Sequence, residues 1–136
     1  MTRINVVSVK ELSDQHLIAE YRELPRCIMQ KINIQNAPKN YCLGLGHVKW
    51  AASHIKFLLK HFYSICREME YRGFKVKYSP EALNATAIYL QKNIYEDYTV
   101  TRKDIKINKE RLVEKYKLKP NFYKWTNRKK PRYYTC

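Results

Sequence analysis

Two residues near the start of the chain, Thr2 and Glu23, have the types and the setting that imine chemistry needs. Residue two is small, so removal of Met1 is expected and would leave a free Thr2 α-amine. Such an amine has an ordinary pKa of about 7.7–8.0, against about 10.4 for a lysine side chain, so far more of it is unprotonated at neutral pH. Adjacent cations lower it further by disfavouring a second positive charge, and Arg3 is adjacent. An amine of this kind can attack an electrophilic sugar carbon and form an imine. Glu23 lies in the run Tyr21-Arg22-Glu23-Leu24-Pro25-Arg26. Arg22 and Arg26, four apart, are neighbours on a helix surface and repel mildly unless an anion bridges them. Glu23 is one such anion; DNA phosphates, which guanidinium groups grip bidentately, are another. The set amounts to a nucleophile, an acid/base group and a phosphate clamp. The competing reading is a solvated salt-bridge face behind an ordinary N-terminus.

Helices must position these groups. The first is expected over residues 14–32 with Ser13 as N-cap, its apolar stripe being Leu17, Tyr21, Leu24, Ile28 and Ile32. Glu23 projects away from that stripe, and Pro25 inside the pattern predicts a kink or break. A loop follows around Pro38. The second helix is expected over residues 46–72, ended by Gly73, with Val48, Ala51, Ala52, Ile55, Leu58, Leu59, Phe62, Ile65, Cys66 and Met69 on one arc. Ser79-Pro80-Glu81 opens a third, to about residue 93. A last helix is expected over residues 109–118, capped by Asn108 and stopped by Pro120, with Ile105-Lys106-Ile107 read as a short extended piece. The expected fold is all-α, one domain of three to four helices with irregular loops and a basic, aromatic tail.

Composition says what such a domain meets. The 136 residues carry 27 Lys and Arg against 12 acids, a formal charge of +15, with 45% apolar residues and three glycines. So strong a positive field draws a polyanion, nucleic acid first and an anionic membrane surface a weaker second. Twelve tyrosines, several interleaved with basic residues near the C-terminus, suit phosphate contact with base stacking. In the tail, the aromatics before Asn127 are expected to pack on the core or its edge and the charges after it to meet DNA. Cys27, Cys42, Cys66 and Cys136 form no CxxC pair, so free thiols in a reducing compartment are expected, without metal or disulfide. His47, His54 and His61 recur every seven residues, about 10.5 Å apart along a helix, too far to share a metal, and read as boundary packing. Gly44-Leu45-Gly46 reads as a tight helix entry. No apolar run matches a signal peptide or membrane span, which leads to an expected cytoplasmic location with access to a genome.

Thr2-Arg3-Ile4-Asn5, Glu11-Leu12, Asp14-Gln15-His16-Leu17 and residues 19–26 resemble the pyrimidine-dimer DNA glycosylases. The likeness resumes at Leu43-Gly44, Gly46-His47-Val48, Arg72-Gly73-Phe74, Arg111-Leu112 and Glu114-Lys115, and extends to Pro120 and Tyr123-Lys124. Residues 27–42 and 91–106 and the stretch 125–130 depart from it.

The resemblance implies a compact helical enzyme that needs no cofactor and acts as a monomer on double-stranded DNA containing pyrimidine dimers or abasic sites. It makes the Thr2 amine the nucleophile at the sugar C1′ and Glu23 the catalytic carboxylate, with β-elimination cutting the strand. Arg3, Arg22 and Arg26 match positions that hold phosphates around the lesion. Arg111 and Lys115 match basic residues of the last helix that serve the same site. Gln15 and His16 match positions beside it, and Lys124 a further DNA contact in the tail. The chemistry is coherent, because glycosidic cleavage develops positive charge at the sugar that a carboxylate stabilises, and the same group can shuttle protons. The rival is a non-catalytic basic nucleic-acid-binding protein, and a third reading keeps the chemistry and changes the lesion.

Overall fold

The computed structural model describes residues 3–135. Among them the order is a 3-10 turn at Val9–Glu11, α1 (Asp14–Met29), α2 (His47–Ala52), α3 (Ile55–Tyr71), α4 (Pro80–Tyr89), α5 (Arg102–Leu118) and a closing 3-10 turn at Arg132–Tyr134, with no β-strand. Among the described residues, no helix is long and apolar enough to cross a membrane. The all-α expectation holds.

Helix α1 starts where the sequence says. Ser13 is extended and its Oγ accepts from the His16 amide, closing one orphan donor of the first turn. The helix passes through Pro25 unbroken and ends at Met29, three residues short of the expected limit. Leu17, Leu24, Pro25 and Ile28 are all buried, so packing on both sides holds the turn that proline weakens. Beyond it, Lys31 and Ile34 are exposed and the chain turns through Asn36 at φ 61°.

The expected second helix is two. Helix α2 ends at Ala52, and α3 begins at Ile55 after His54 leaves helical geometry at φ −125° and ψ 57°. Side chains take over the freed backbone acceptor: Ser53 Oγ donates to the Trp50 carbonyl at 2.8 Å, and His54 Nδ1 bonds it at 2.6 Å. Ser and neighbours of this kind offer the backbone an alternative to the helix ladder. The break lets Trp50 turn fully inward, among Tyr41, His47, His54, Phe57 and Tyr98. Helix α3 then buries Ile55, Leu58, Phe62, Ile65, Cys66 and Met69 against α1 and α4. It stops at Gly73, φ +88°, with the Phe74 amide on the Met69 carbonyl and the Gly73 amide on that of Glu70. Helix α4 ends at Tyr89, before the expected limit, and Gln91 turns the chain at φ 57°.

Helix α5 begins seven residues earlier than expected. Its cap is Thr101, in a capping box with Asp104. Ile105, Lys106 and Ile107 are therefore helical rather than extended, and Asn108 is a buried interior residue rather than a cap. Gly46 does form the tight helix entry: a Cβ there would come within 2.5 Å of Pro38 Cγ.

The tail departs from expectation at Phe122, which is half exposed, at Lys130, whose Nζ donates to Tyr116 Oη at 2.9 Å, and at Arg128. Arg128 is a structural anchor rather than a DNA-facing charge: its Nε and Nη2 donate to the two Glu68 oxygens, each at 2.9 Å, and its guanidinium covers the Tyr71 ring. Buried Arg72 joins the same Glu68 at 2.8 Å and Asp14 at 2.9 Å. Burial raises the Glu68 pKa, but the bonds from Arg128 and Arg72 more than offset it and hold the carboxyl below its ordinary range. Trp125 Nε1 donates to the Glu11 carbonyl, Tyr134 is buried, and Phe122 stays half exposed.

Candidate nucleic-acid active site

A cleft of about 330 Å³ opens between α1, α5 and the N-terminal segment. Helix α1 supplies His16, Ala19 and Glu23, at steps of three and four along one face. Helix α5 supplies Arg111 and Leu112 and, one turn on, Lys115, and the N-terminal segment supplies Arg3 and Asn5. Three cations thus share a cleft with one carboxyl group. Glu23 also lines an adjoining cavity of about 140 Å³ with Ile4, Arg26, Cys27, Gln30, His47 and Val48. Arg26 Nη1 donates to Glu23 Oε1 at 3.2 Å.

The N-terminal segment, residues 4–7, is buried without belonging to any helix. Its backbone is held by three side chains, those of His47, Tyr41 and Asn108. The Ile4 amide donates to His47 Nε2 at 2.9 Å, and the Ile4 carbonyl accepts from Tyr41 Oη at 2.8 Å. The Val6 and Val7 amides both donate to Asn108 Oδ1, at 2.7 and 3.0 Å. Asn5 receives Asn108 Nδ2 at 2.8 Å and donates to fully buried Glu20 at 2.7 Å; Glu20 pairs in turn with His61. Arg3 Nε donates to the Leu43 carbonyl at 3.1 Å, tying it to the Gly44–Gly46 entry loop.

Because the Ile4 amide must donate, His47 Nε2 is the acceptor and Nδ1 carries the proton toward the Cys42 carbonyl. Burial lowers the His47 pKa from its ordinary 6.5 to about 4, so the ring is neutral at pH 7. His16 is likewise lowered to about 4, by burial first, with Arg111 and Lys115 adding to the effect and Glu20 opposing it. It stacks on Tyr123 with centroids 4.8 Å apart and bonds Ser13 Oγ. His16 is therefore a neutral imidazole at pH 7. Burial raises the Cys27 thiol to about 11, with Glu23 and Glu20 adding to it, which makes it a poor nucleophile. Cys27, Cys42 and Cys66 are free thiols. His54 and His61 are half-buried with partners of their own, as boundary packing requires, whereas His47 is fully buried and holds the Ile4 amide.

Of the residues singled out in the sequence, Arg3, His16, Glu23, Arg111 and Lys115 line the cleft, and Arg26 joins Glu23 beside it. Arg22 is exposed and lines neither cavity. Gln15 and Lys124 meet each other instead, the Lys124 amide donating to Gln15 Oε1 at 2.9 Å, away from the cleft lining. Thr2 lies outside the described residues, although Arg3, directly after it, lines the cleft. Asn5, Ala19 and Leu112 were not foreseen as lining residues. Asn5 had a readable signal: it is the one polar residue in the apolar run 4–7. A larger groove, about 660 Å³, runs along another face of α5 beside Tyr133 and holds none of the residues singled out.

A family model described as pyrimidine dimer DNA glycosylase matches residues 1–82. The chain belongs to that family. It is a DNA repair glycosylase, and its substrate is DNA. The matched region carries Arg3, His16, Glu23 and Arg26, while Arg111 and Lys115 reach the same cleft from α5, beyond the match. The rival reading as a non-catalytic basic binder gives way to the enzyme.

Proposed function

We propose that this glycosylase couples base removal to strand cleavage at UV-induced pyrimidine dimers, through an imine formed by the Thr2 amine. The observation that supports the reading best is the convergence of Glu23 with Arg3, Arg111 and Lys115 in one cleft, Arg3 being next to Thr2 in sequence. A pure polyanion site gains nothing from a carboxyl group among its cations. A glycosylase does, because positive charge develops at the sugar as the glycosidic bond breaks.

The reaction runs in balanced steps. The Thr2 nitrogen lone pair forms a bond to C1′, and the base departs with the glycosidic electron pair, still attached to the DNA through its dimer partner. Loss of an amine proton and opening of the sugar ring, with O4′ taking a proton, give the imine. Glu23 removes a C2′ proton, and the 3′-phosphate leaves in β-elimination. Water hydrolyses the imine and restores the amine. Arg3, Arg26, Arg111 and Lys115 bind the phosphates flanking the lesion, with exposed Arg22 extending the basic surface and Gln15, His16 and Lys124 bordering it. Reaching the dimer requires kinking the duplex and extruding a nucleotide, which costs least at an already poorly stacked step. The protein works as one domain and a monomer, with no metal or cofactor.

Borohydride added during turnover on UV-irradiated duplex in EDTA should give a covalent protein–DNA adduct that peptide mapping places at Thr2. Intact mass should show Met1 removed. Full-rate cutting by protein whose first amine is blocked would overturn the mechanism.

A further inference from the structure

Asn108 stands in the interior of α5, fully buried, one turn before Arg111. Both ends of its amide are spent on the N-terminal segment: Oδ1 takes the Val6 and Val7 amides, and Nδ2 donates to Asn5. A second tie runs in parallel, since the Tyr41 amide donates to Tyr98 Oη and Tyr98 Oη donates to Asp104 on the first turn of α5, while Tyr41 Oη holds the Ile4 carbonyl. Residues 4–7 have neither sheet nor helix to satisfy them, and a buried polar network is a costly substitute for apolar packing. Asn108 satisfies the Val6 and Val7 amides, which would otherwise be left unpaired in the interior. What the network also secures is a fixed distance between an extended segment and the helix whose next turns present Arg111 and Lys115 to the cleft.

We propose that Asn108 is a positioning residue for the glycosylase reaction: it locks Asn5, Val6 and Val7 to α5, so that the helix gripping the DNA backbone also sets where the N-terminal nitrogen meets the sugar. The inference rests on the Thr2-amine reading above. Nucleophile placement is sensitive to small shifts, a displacement of about 1 Å costing up to about 10²-fold in rate.

The test uses single-turnover cleavage of a dimer-containing duplex, binding to a duplex carrying a non-cleavable abasic analogue, and borohydride trapping, all well below the melting temperature. For Asn108→Ala the rate and the trapping yield should fall about tenfold or more, with affinity for the analogue unchanged within about twofold. Asn108→Ser, whose hydroxyl can accept one of the two amides, should recover part of the rate. Leu83→Ala, a core truncation on α4 outside the cleft lining, controls for lost stability and should leave the rate unchanged. If Asn108→Ala melts lower but cleaves at the native rate, or if neither Asn108 variant folds, the residue is architectural and the proposal is wrong. If native protein gives no trapped adduct, the nucleophile assignment has failed instead.

Discussion

Glu23 shares its cleft with Arg3, Arg111 and Lys115, and Arg26 reaches it from one turn further along α1. The Arg26 pair is largely exposed and contributes little to folding, at most about 1 kcal/mol. It leaves Glu23 Oε1 with a bond from Arg26 Nη1 at 3.2 Å. Glu23→Gln keeps the volume and removes both the charge and the base. Affinity for dimer-containing duplex should hold or rise slightly, because an anion has left the phosphate site, while single-turnover cleavage drops by about 10²-fold or more. A variant that binds and cleaves like the native enzyme would remove Glu23 from the chemistry. The spacing of Arg22, Glu23 and Arg26 showed at this scale that the three share a region, but could not divide them: on the same helix, Glu23 faces the cleft and Arg22 faces solvent.

At the scale of elements, α5 does two jobs along its length. Asp104, Asn108 and Leu112 are buried, and Arg111 and Lys115 line the cleft. The tail beyond α5 shows that a basic residue is not thereby a DNA contact. Arg128 is spent on Glu68 and Tyr71, and with Arg72 and Asp14 it fastens the tail to the start of α1 and the end of α3. Arg111→Ala should therefore flatten the salt dependence of DNA binding by about one counterion, with little change in melting temperature. Arg128→Ala should lower the melting temperature and leave the salt slope nearly intact. Binding titrations across a salt series, alongside thermal denaturation, check both; a reversed pattern would mean that the tail, not α5, carries the phosphate contact.

The whole molecule combines a strongly positive charge with two neutral histidines, His47 buried and His16 half-buried. His16 and His47 are held near 4 in the folded state against an ordinary 6.5. Above pH 6.5 both rings are neutral folded or unfolded, and their packing stabilises fully. As pH falls from 6.5 toward 4, the unfolded chain takes up protons that the folded chain refuses, so stability is lost across that window. The growing positive charge adds self-repulsion in the same direction. The melting temperature should fall steadily between about pH 6.5 and 4, and nuclear magnetic resonance should find the His47 ring still neutral at pH 5. A flat melting profile over that range would contradict the burial of these rings in the folded state.

Local patterns along the chain determined the all-α class, the start of α1 at Ser13, the stop of α3 at Gly73 and the arginine–glutamate set, because caps, apolar periodicity and charge spacing act over a few residues. The break at Ser53-His54 was hidden because its cause is the burial of Trp50 among rings from distant segments. The true start of α5 was readable in the Thr101–Asp104 capping box, yet the β-branched residues that follow pulled the reading toward an extended piece. Asn108 carried a cap-like local preference that a contact about a hundred residues away overrides. Only the tertiary structure could decide that; the family resemblance implied that Arg111 and Lys115 serve the site of Glu23, but the cleft they share with it came from the fold, since hydrogen bonds and cavities between remote segments leave no period in the sequence.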